Sequence, residues 1–158
     1  MIIVAWLLVL VLLYVFFQKI LSRQHNPNQD IASNISANDT RIVTLKRNRH
    51  GHYVATGMIN SQPVELILDT GATDVSVPAK LANKLKLEKG MPVKTITANG
   101  IIDTYMTNLK SVQLGDIKIH NVRANINPYS DEVLLGMSFL KQLEFTQRGN
   151  TLTLKQYP

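Results

Sequence analysis

The first 17 residues form an unbroken apolar run, MIIVAWLLVLVLLYVFF, that contains no charged side chain. As a helix, this run would be roughly 25 Å long. Residues 18–21 would extend it toward the roughly 30 Å of a bilayer's hydrocarbon core, with Lys19 reaching the interface. A helix that is apolar on every face belongs in lipid more readily than in the core of a small domain. We therefore predict a single transmembrane anchor over residues 1–21.

A cleaved signal peptide is the competing interpretation of this run. No basic residue precedes it and no convincing small-x-small cleavage site follows it, so the uncleaved anchor is favoured. Orientation is less constrained. Lys19 and Arg23 follow the run, and by the positive-inside rule this small bias would keep the remainder cytoplasmic. The chain has no cysteine, which suits a reducing or an oxidising compartment, so the residues alone leave the compartment open.

The next segment, SRQHNPNQDIASNISANDT over residues 22–40, is rich in Asn, Ser, Gln and Asp. Such a composition offers little apolar surface to bury, so we expect a flexible polar linker. The remaining residues, 41–158, are enough for one ordinary domain and too few for two sizeable cores.

Residues 41–158 alternate short stretches rich in β-branched residues with turn residues, which predicts a mainly β domain. RIVTL, HYVATGMI and PVELIL are early strand candidates, and PVKTIT is joined to IIDTYMTNLKSVQL through an Asn-Gly turn signal. IKIHNVRANI and TLTLKQ supply later strands. Helix is predicted only in two short pieces, PAKLANKLKL and GMSFLKQL.

Two motifs in this order, LILDTGAT at 66–73 and VLLGMSFL at 133–140, resemble those of the retropepsin-like aspartic proteases, in particular the membrane-anchored bacterial group. The resemblance extends over most of the chain between Ile42 and Leu154. It implies a retropepsin-like acid-protease β-barrel with one or two short helices and a flap hairpin, preceded by the single transmembrane helix.

The resemblance implies that Asp69 is catalytic. Hydrolysis of a peptide bond without a metal or a nucleophile needs one carboxylate to activate water and a second carboxylic acid to protonate the carbonyl. The chain has one Asp-Thr-Gly motif and no Asp-Ser-Gly, so the second Asp69 is expected from another copy in a homodimer. Thr70, Gly71 and Ala72 would form the supporting loop, with Thr70 bonding across the dimer axis.

Two further groups of residues acquire roles through the same resemblance. Leu134, Leu135 and Gly136 are expected to pack beneath the Asp69 loop. The flap, which folds over an extended substrate, is expected to include Thr97, Ala98, Asn99, Gly100 and Ile101.

The chain departs from the family pattern at one pair of positions. Retroviral enzymes commonly place an acidic residue two positions after the motif glycine and an arginine just after the later glycine. Here those places hold Thr73 and Met137. A different packing solution is implied, and Asp74 is free to face substrate or solvent.

The densest basic cluster comprises Lys46, Arg47, Arg49, His50 and His52, in a chain of net charge +6. Because no aromatic interleaving or nucleic-acid motif accompanies it, a solvated hairpin turn is favoured over a nucleic-acid surface. No cysteine or carboxylate lies near His50 and His52 in sequence to complete a metal site, so no metal is expected.

The sequence thus predicts a membrane-anchored, homodimeric aspartic endopeptidase that acts on peptide or protein substrates and needs no cofactor. The resemblance implies the inner membrane, with the protease domain on the periplasmic side. Two alternatives remain: a catalytically silent peptide-binding module on the acid-protease fold, and a protease that acts mainly on its own linker.

Overall fold

A computed structural model describes residues 2–97 and 100–158 of the chain. Its first element, α1 (Ile2–His25), is four residues longer at its C-terminal end than the predicted anchor, because residues 22–25 continue the helix. By length and composition α1 could cross a membrane from Trp6 onward, and its most apolar stretch is not buried against the rest of the chain. The helix therefore projects away from the remainder of the molecule.

The elements that follow α1 are mostly strands. Their bounds are β1 Ala32–Ile35, β2 Arg41–Lys46, β3 Val54–Ile59, β4 Gln62–Leu68, β5 Val75–Pro78, α2 Ala79–Lys84, β6 Pro92–Thr97, β7 Gly100–Leu114, β8 Ile117–Asn127, β9 Val133–Leu135, α3 Met137–Leu140, β10 Glu144–Arg148 and β11 Thr151–Gln156. The predicted mainly β fold and both predicted short helices are confirmed.

Within the described residues the strands form two sheets. The larger has the order β3-β4-β9-β5-β8-β7-β6, and β3 also pairs with β7 at Met58–Gln113 and Ile59–Val112, which closes a barrel. The smaller has the order β1-β2-β11-β10. Its inward side chains share one hydrophobic core with the barrel, including Val43 and Leu154.

The strand sequences explain this core. Buried apolar residues alternate along these strands, Val43 and Leu45 in β2 and Val64 and Leu66 in β4, as expected for strands with one face against a core. Helix α3 contributes Phe139, the largest fully buried side chain. Because α3 directly follows β9, the burial of Phe139 also fixes the position of β9, which pairs with the end of β4.

The predicted flexible linker over residues 22–40 differs from the structure. Residues 22–25 are helical, Asn26 and Asn28 are buried, and β1 pairs antiparallel with β2. The Asn28 side chain bonds backbone groups of the barrel and the Asn26 side chain bonds barrel side chains, which composition alone could not reveal. Part of this segment therefore belongs to the folded domain.

Strands β6 and β7 form the hairpin predicted as the flap. Ile96 pairs with Ile101 and Thr97 with Gly100, and the Thr97 hydroxyl donates to the Gly100 carbonyl at 2.8 Å. Ala98 and Asn99, which complete the predicted flap tip, lie outside the described residues. Ile96 and Ile101 are 84% and 67% exposed, so the hairpin presents apolar side chains to solvent in the single chain.

Candidate active site

Asp69 lies immediately after β4, in a loop that bends back on its own carboxylate. The Gly71 N–H donates to Asp69 Oδ1 at 2.8 Å, and the Ala72 N–H donates to the Asp69 carbonyl at 3.3 Å. The Asp69 N–H donates to the Leu135 carbonyl at 3.2 Å, which joins the loop to β9. Asp69 is half-buried, while Thr70 is exposed. The aspartate is thus fixed in direction and still accessible.

A second set of contacts holds the loop from below. Strand β4 runs parallel to β9 with Leu68 beside Leu135 and Ile67 beside Leu134. Gly136 follows, and a Cβ atom there would lie 2.7 Å from the Ala72 carbonyl oxygen, so only glycine permits this approach.

Backbone hydrogen bonds complete the contact between the loop and α3. The Met137 and Ser138 N–H groups donate to the Ala72 and Thr73 carbonyls at 2.8 and 2.9 Å. The structure therefore brings the predicted loop residues and the predicted support residues together.

Asp74 pairs with an arginine that sequence inspection did not single out. Arg123 Nε donates to Asp74 Oδ1 at 2.6 Å. The Arg123 backbone carbonyl accepts from the Ser138 hydroxyl at 2.7 Å, and the same hydroxyl oxygen accepts from the Val75 N–H at 3.1 Å. An ion pair between β8 and the Asp69 loop is thus the different packing solution that Thr73 and Met137 imply.

Asp69 opens onto a cavity of about 530 Å³. Its apolar wall is formed by Val54, Ile67, Leu68 and Leu134. Its polar wall is formed by His25, Asn48, His50, His52 and Glu132. The cavity thus combines an apolar wall with a polar wall, and two carboxyl groups, those of Asp69 and Glu132, line it; such a mixed lining is expected of a ligand site.

Three of the polar wall residues are held by one turn. The buried Asn48 accepts hydrogen bonds from the His50 and His52 N–H groups through its Oδ1, both at 3.0 Å, and donates its Nδ2 to the His25 carbonyl at 2.9 Å. His50 and His52 are exposed, as expected for a solvated turn, but they also rim the Asp69 cavity. An Asn three residues before Gly51, whose φ is +89°, was the available sequence signal for this turn.

The described flap residues are separate from this cavity in the single chain. Among the described residues, Thr97, Gly100 and Ile101 do not line it. The structure thus brings together Asp69, its loop and its support, and leaves the described flap residues apart from them.

Residues 55–142 match the family described as "gag-polyprotein putative aspartyl protease". This match covers more than half of the chain. The chain belongs to the retropepsin-like aspartic proteases.

Solved structures support the same fold for this retropepsin-like chain. A retropepsin-like aspartic protease from Rickettsia conorii superposes with a TM-score of 0.61 at 24% identity, covering 80% of this chain and 95% of the other. EIAV protease complexed with the inhibitor HBY-793 superposes with a TM-score of 0.51 at 21% identity, covering 61% of this chain and 92% of the EIAV chain. The predicted retropepsin-like fold is therefore confirmed.

Two bacterial relatives have no described activity. An uncharacterized protein from the cobV 5′ region of Sinorhizobium sp. is 30% identical over 119 residues, covering 72% of this chain and 51% of the relative. The uncharacterized protein RP867 of Rickettsia prowazekii is 27% identical over 119 residues, covering 73% of this chain and 51% of the relative. The chain thus spans about half the length of the curated relatives it matches.

Proposed function

We propose that this protein is an aspartic endopeptidase whose active site forms between two copies of the chain, each contributing Asp69. The observation that carries the proposal is the half-buried Asp69 carboxylate, which accepts from the Gly71 N–H and faces an open cavity. Two such carboxyl groups close together cannot both ionise, so they would share a proton. One would take a proton from the attacking water while the other gives a proton to the peptide carbonyl.

A second carboxylate of the same chain also lines the cavity. Glu132 is exposed, and its backbone N–H donates to the Ser130 hydroxyl oxygen at 3.1 Å within a local turn. No hydrogen bond joins Glu132 to Asp69 in the part of the chain that the structure describes. We assign Glu132 to the substrate-binding wall, and the second catalytic carboxylate to the partner copy.

We propose that the partner copy docks along β10. Within the described ranges β10 pairs only with β11, and all five of its residues are exposed. If two β10 strands paired antiparallel about Thr146, Glu144 of one copy would face Arg148 of the other, a self-complementary arrangement for a two-fold dimer. Helix α3 leads from Gly136, beneath the Asp69 loop, to this edge.

The remaining predicted roles fit this assembly. Thr70, exposed at the loop tip, would bond across the two-fold axis, and the flap residues Thr97–Ile101 would close over an extended peptide.

We further propose that α1 anchors the protein in the inner membrane with the protease domain on the periplasmic side. A compartment-specific reporter fused after Pro158 tests the orientation: activity of a cytoplasmic reporter would contradict it.

The direct test is digestion of a peptide mixture by purified protein at acidic and neutral pH, beside Asp69→Asn. We expect cleavage by the wild type and none by Asp69→Asn. Glu132→Gln is the matched comparison, because it removes another carboxylate from the same cavity: as part of the substrate-binding wall it should weaken substrate binding without abolishing cleavage. A stable dimer that cleaves nothing would contradict the proposal and favour the silent peptide-binding module.

Self-processing at the segment between α1 and the barrel requires a further step. Asn26, Asn28 and β1 lie in folded structure, so that part must open locally before it could enter any cleft. Shortening of the wild type but not of Asp69→Asn during storage would identify this activity.

A further inference from the structure

The anchor helix joins the barrel through a hydrogen-bonded connection. Asn28 is 4% exposed, and its side chain donates to the Val54 carbonyl at 2.6 Å and the Lys46 carbonyl at 2.9 Å, while it accepts from the Lys46 N–H at 2.7 Å. Its backbone carbonyl accepts from the Thr56 N–H at 3.1 Å. Three residues after the helix has ended, the chain is already fixed to β2 and β3.

The last turn of α1 is held as well. His25 Nε2 lies 2.9 Å from Glu65 Oε1, and the buried Asn26 donates to Glu65 Oε2 at 3.0 Å and to Thr56 Oγ1 at 3.1 Å. Asn48 donates to the His25 carbonyl. These contacts come from β3, β4 and the turn after β2, so the helix end has a defined position on the barrel.

The length of α1 then sets the height of the barrel above a membrane. Its 24 residues would measure about 36 Å, against a hydrocarbon core of about 30 Å. The large apolar side chains described between Ile3 and Phe17 are exposed, so lipid can surround them. With this stretch in the bilayer, His25 lies at the level of the lipid headgroups or just outside them.

The candidate active site lies at the same level. His25 and Asp69 line one cavity, so the distance from the end of the helix to the aspartate is no greater than the width of that cavity. In a dimer whose two anchors cross one membrane in the same direction, the two-fold axis must be parallel to the membrane normal. An extended substrate that crosses this axis between the two aspartates therefore runs parallel to the membrane surface.

We propose that the substrate is an extended segment of a membrane-anchored protein, cut close to the point where that protein leaves the bilayer. This inference rests on the proposed peptidase function and adds the class of substrate to it. A cleavage segment held far above the membrane would not meet a cleft that is fixed at the surface.

The test uses full-length protein in liposomes with single-pass reporters. Each reporter carries one unstructured segment that the same protein cleaves as a free peptide, placed three or thirty residues from the reporter's transmembrane helix. We expect the near segment to be cut at least tenfold faster than the far one. A six-residue Gly-Ser insertion after Leu21 leaves Asn26 and Asn28 in place but lifts the domain, and should remove most of this difference. The same insertion between Ala37 and Asn38, in an exposed turn, is the control and should preserve it.

A second readout does not depend on activity. Because the chain has no cysteine, a donor dye on Asp131→Cys, beside the cavity residue Glu132, labels one site. Acceptor-labelled lipid headgroups should quench it more strongly in the otherwise wild-type protein than in the Leu21 insertion variant.

The outcomes separate the two proposals. Equal cutting of near and far reporters, with the free peptide cleaved, would overturn the membrane-proximal substrate and leave the peptidase function standing. Failure to cleave even the free peptide would contradict the peptidase function. The dye measurement would still test the height of the cleft: quenching unchanged by the Leu21 insertion would overturn the inference that the cleft lies at the membrane surface.

Discussion

Arg123 and Asp74 lie 49 positions apart in sequence and form an ion pair at 2.6 Å that ties strand β8 to the loop carrying Asp69. The parallel register of β5 and β8 places Val75 beside Ala124, so the residues just before them are neighbours as well. The Arg123 side chain is 55% exposed and that of Asp74 is 22% exposed, so solvent screens the pair in part.

We therefore predict a small but measurable coupling between Asp74 and Arg123. A double-mutant cycle with Asp74→Asn and Arg123→Met should give about 0.5–1 kcal/mol in the free energy of urea unfolding. The Lys80–Asp131 pair, with side chains 91% and 86% exposed, is the matched control and should give less. Equal coupling in the two pairs would show that the Asp74 contact does not hold the loop.

A larger loss of stability is expected at Asn28. In Asn28→Ala the carbonyls of Val54 and Lys46 and the Lys46 N–H lose their partners at a buried site, which should cost about 2–4 kcal/mol in the free energy of unfolding. Asn34→Ala, at an exposed position of β1, is the control and should cost little.

The same contacts predict where a soluble version must begin. A version spanning residues 22–158 retains Asn28 and β1, whereas one spanning 41–158 lacks both. Thermal unfolding should therefore occur at a lower temperature for the shorter version. Equal midpoints would contradict a structural role for the segment that precedes β2.

The pH dependence of the C-terminal strand pair centres on Glu144. Hydrogen bonds from the Tyr157 hydroxyl and the Lys155 ammonium, together with the Lys155 charge, hold the pKa of Glu144 below its ordinary value of 4.5. Because the folded pKa is the lower one, this stabilisation is present above pH 4.5 and is lost as the pH falls through the folded pKa.

We predict that Tyr157→Phe raises the pKa of Glu144 toward its ordinary value, as measured by NMR titration of the side-chain carboxyl carbon. The free energy of unfolding of the variant should differ most from that of the wild type at neutral pH and least in acid. Tyr129→Phe, which alters an exposed tyrosine elsewhere, should leave the titration unchanged.

Pairing of two β10 strands can be tested by a disulfide at their centre. In an antiparallel pair centred on Thr146, the two Cα atoms lie about 4.5–5.5 Å apart, within the range that a disulfide spans. Thr146→Cys should therefore form a covalent dimer on mild oxidation in an otherwise cysteine-free chain. Thr153→Cys is the control, because Thr153 pairs with Thr146 inside the same sheet and should not cross-link. Equal cross-linking of both variants would argue against this edge.

Local sequence pattern located the Asp69 loop and the segment that packs beneath it, and the roles given to these residues stay predictions. Asp69 follows an aliphatic strand within a recognisable motif, and the glycine of the later motif is required because the Asp74 and Ala72 carbonyl groups pass over it. Arg123 was not foreseen because its partner depends on a register between strands that are far apart in sequence. Asn26 and Asn28 were assigned to a linker because asparagine is typical of linkers, and their partners, the Thr56 and Glu65 side chains for Asn26 and backbone groups of Lys46 and Val54 for Asn28, come together only in the folded barrel.

The central claim is that each active site needs Asp69 from two chains. The most direct measurement mixes wild-type and Asp69→Asn protein, allows the subunits to exchange, and follows peptide cleavage against the wild-type fraction. If both aspartates are required, activity falls with the square of that fraction, to about a quarter in an equal mixture. Activity that falls in simple proportion, to about half, would contradict the shared site, as would a wild-type dimer that cleaves nothing.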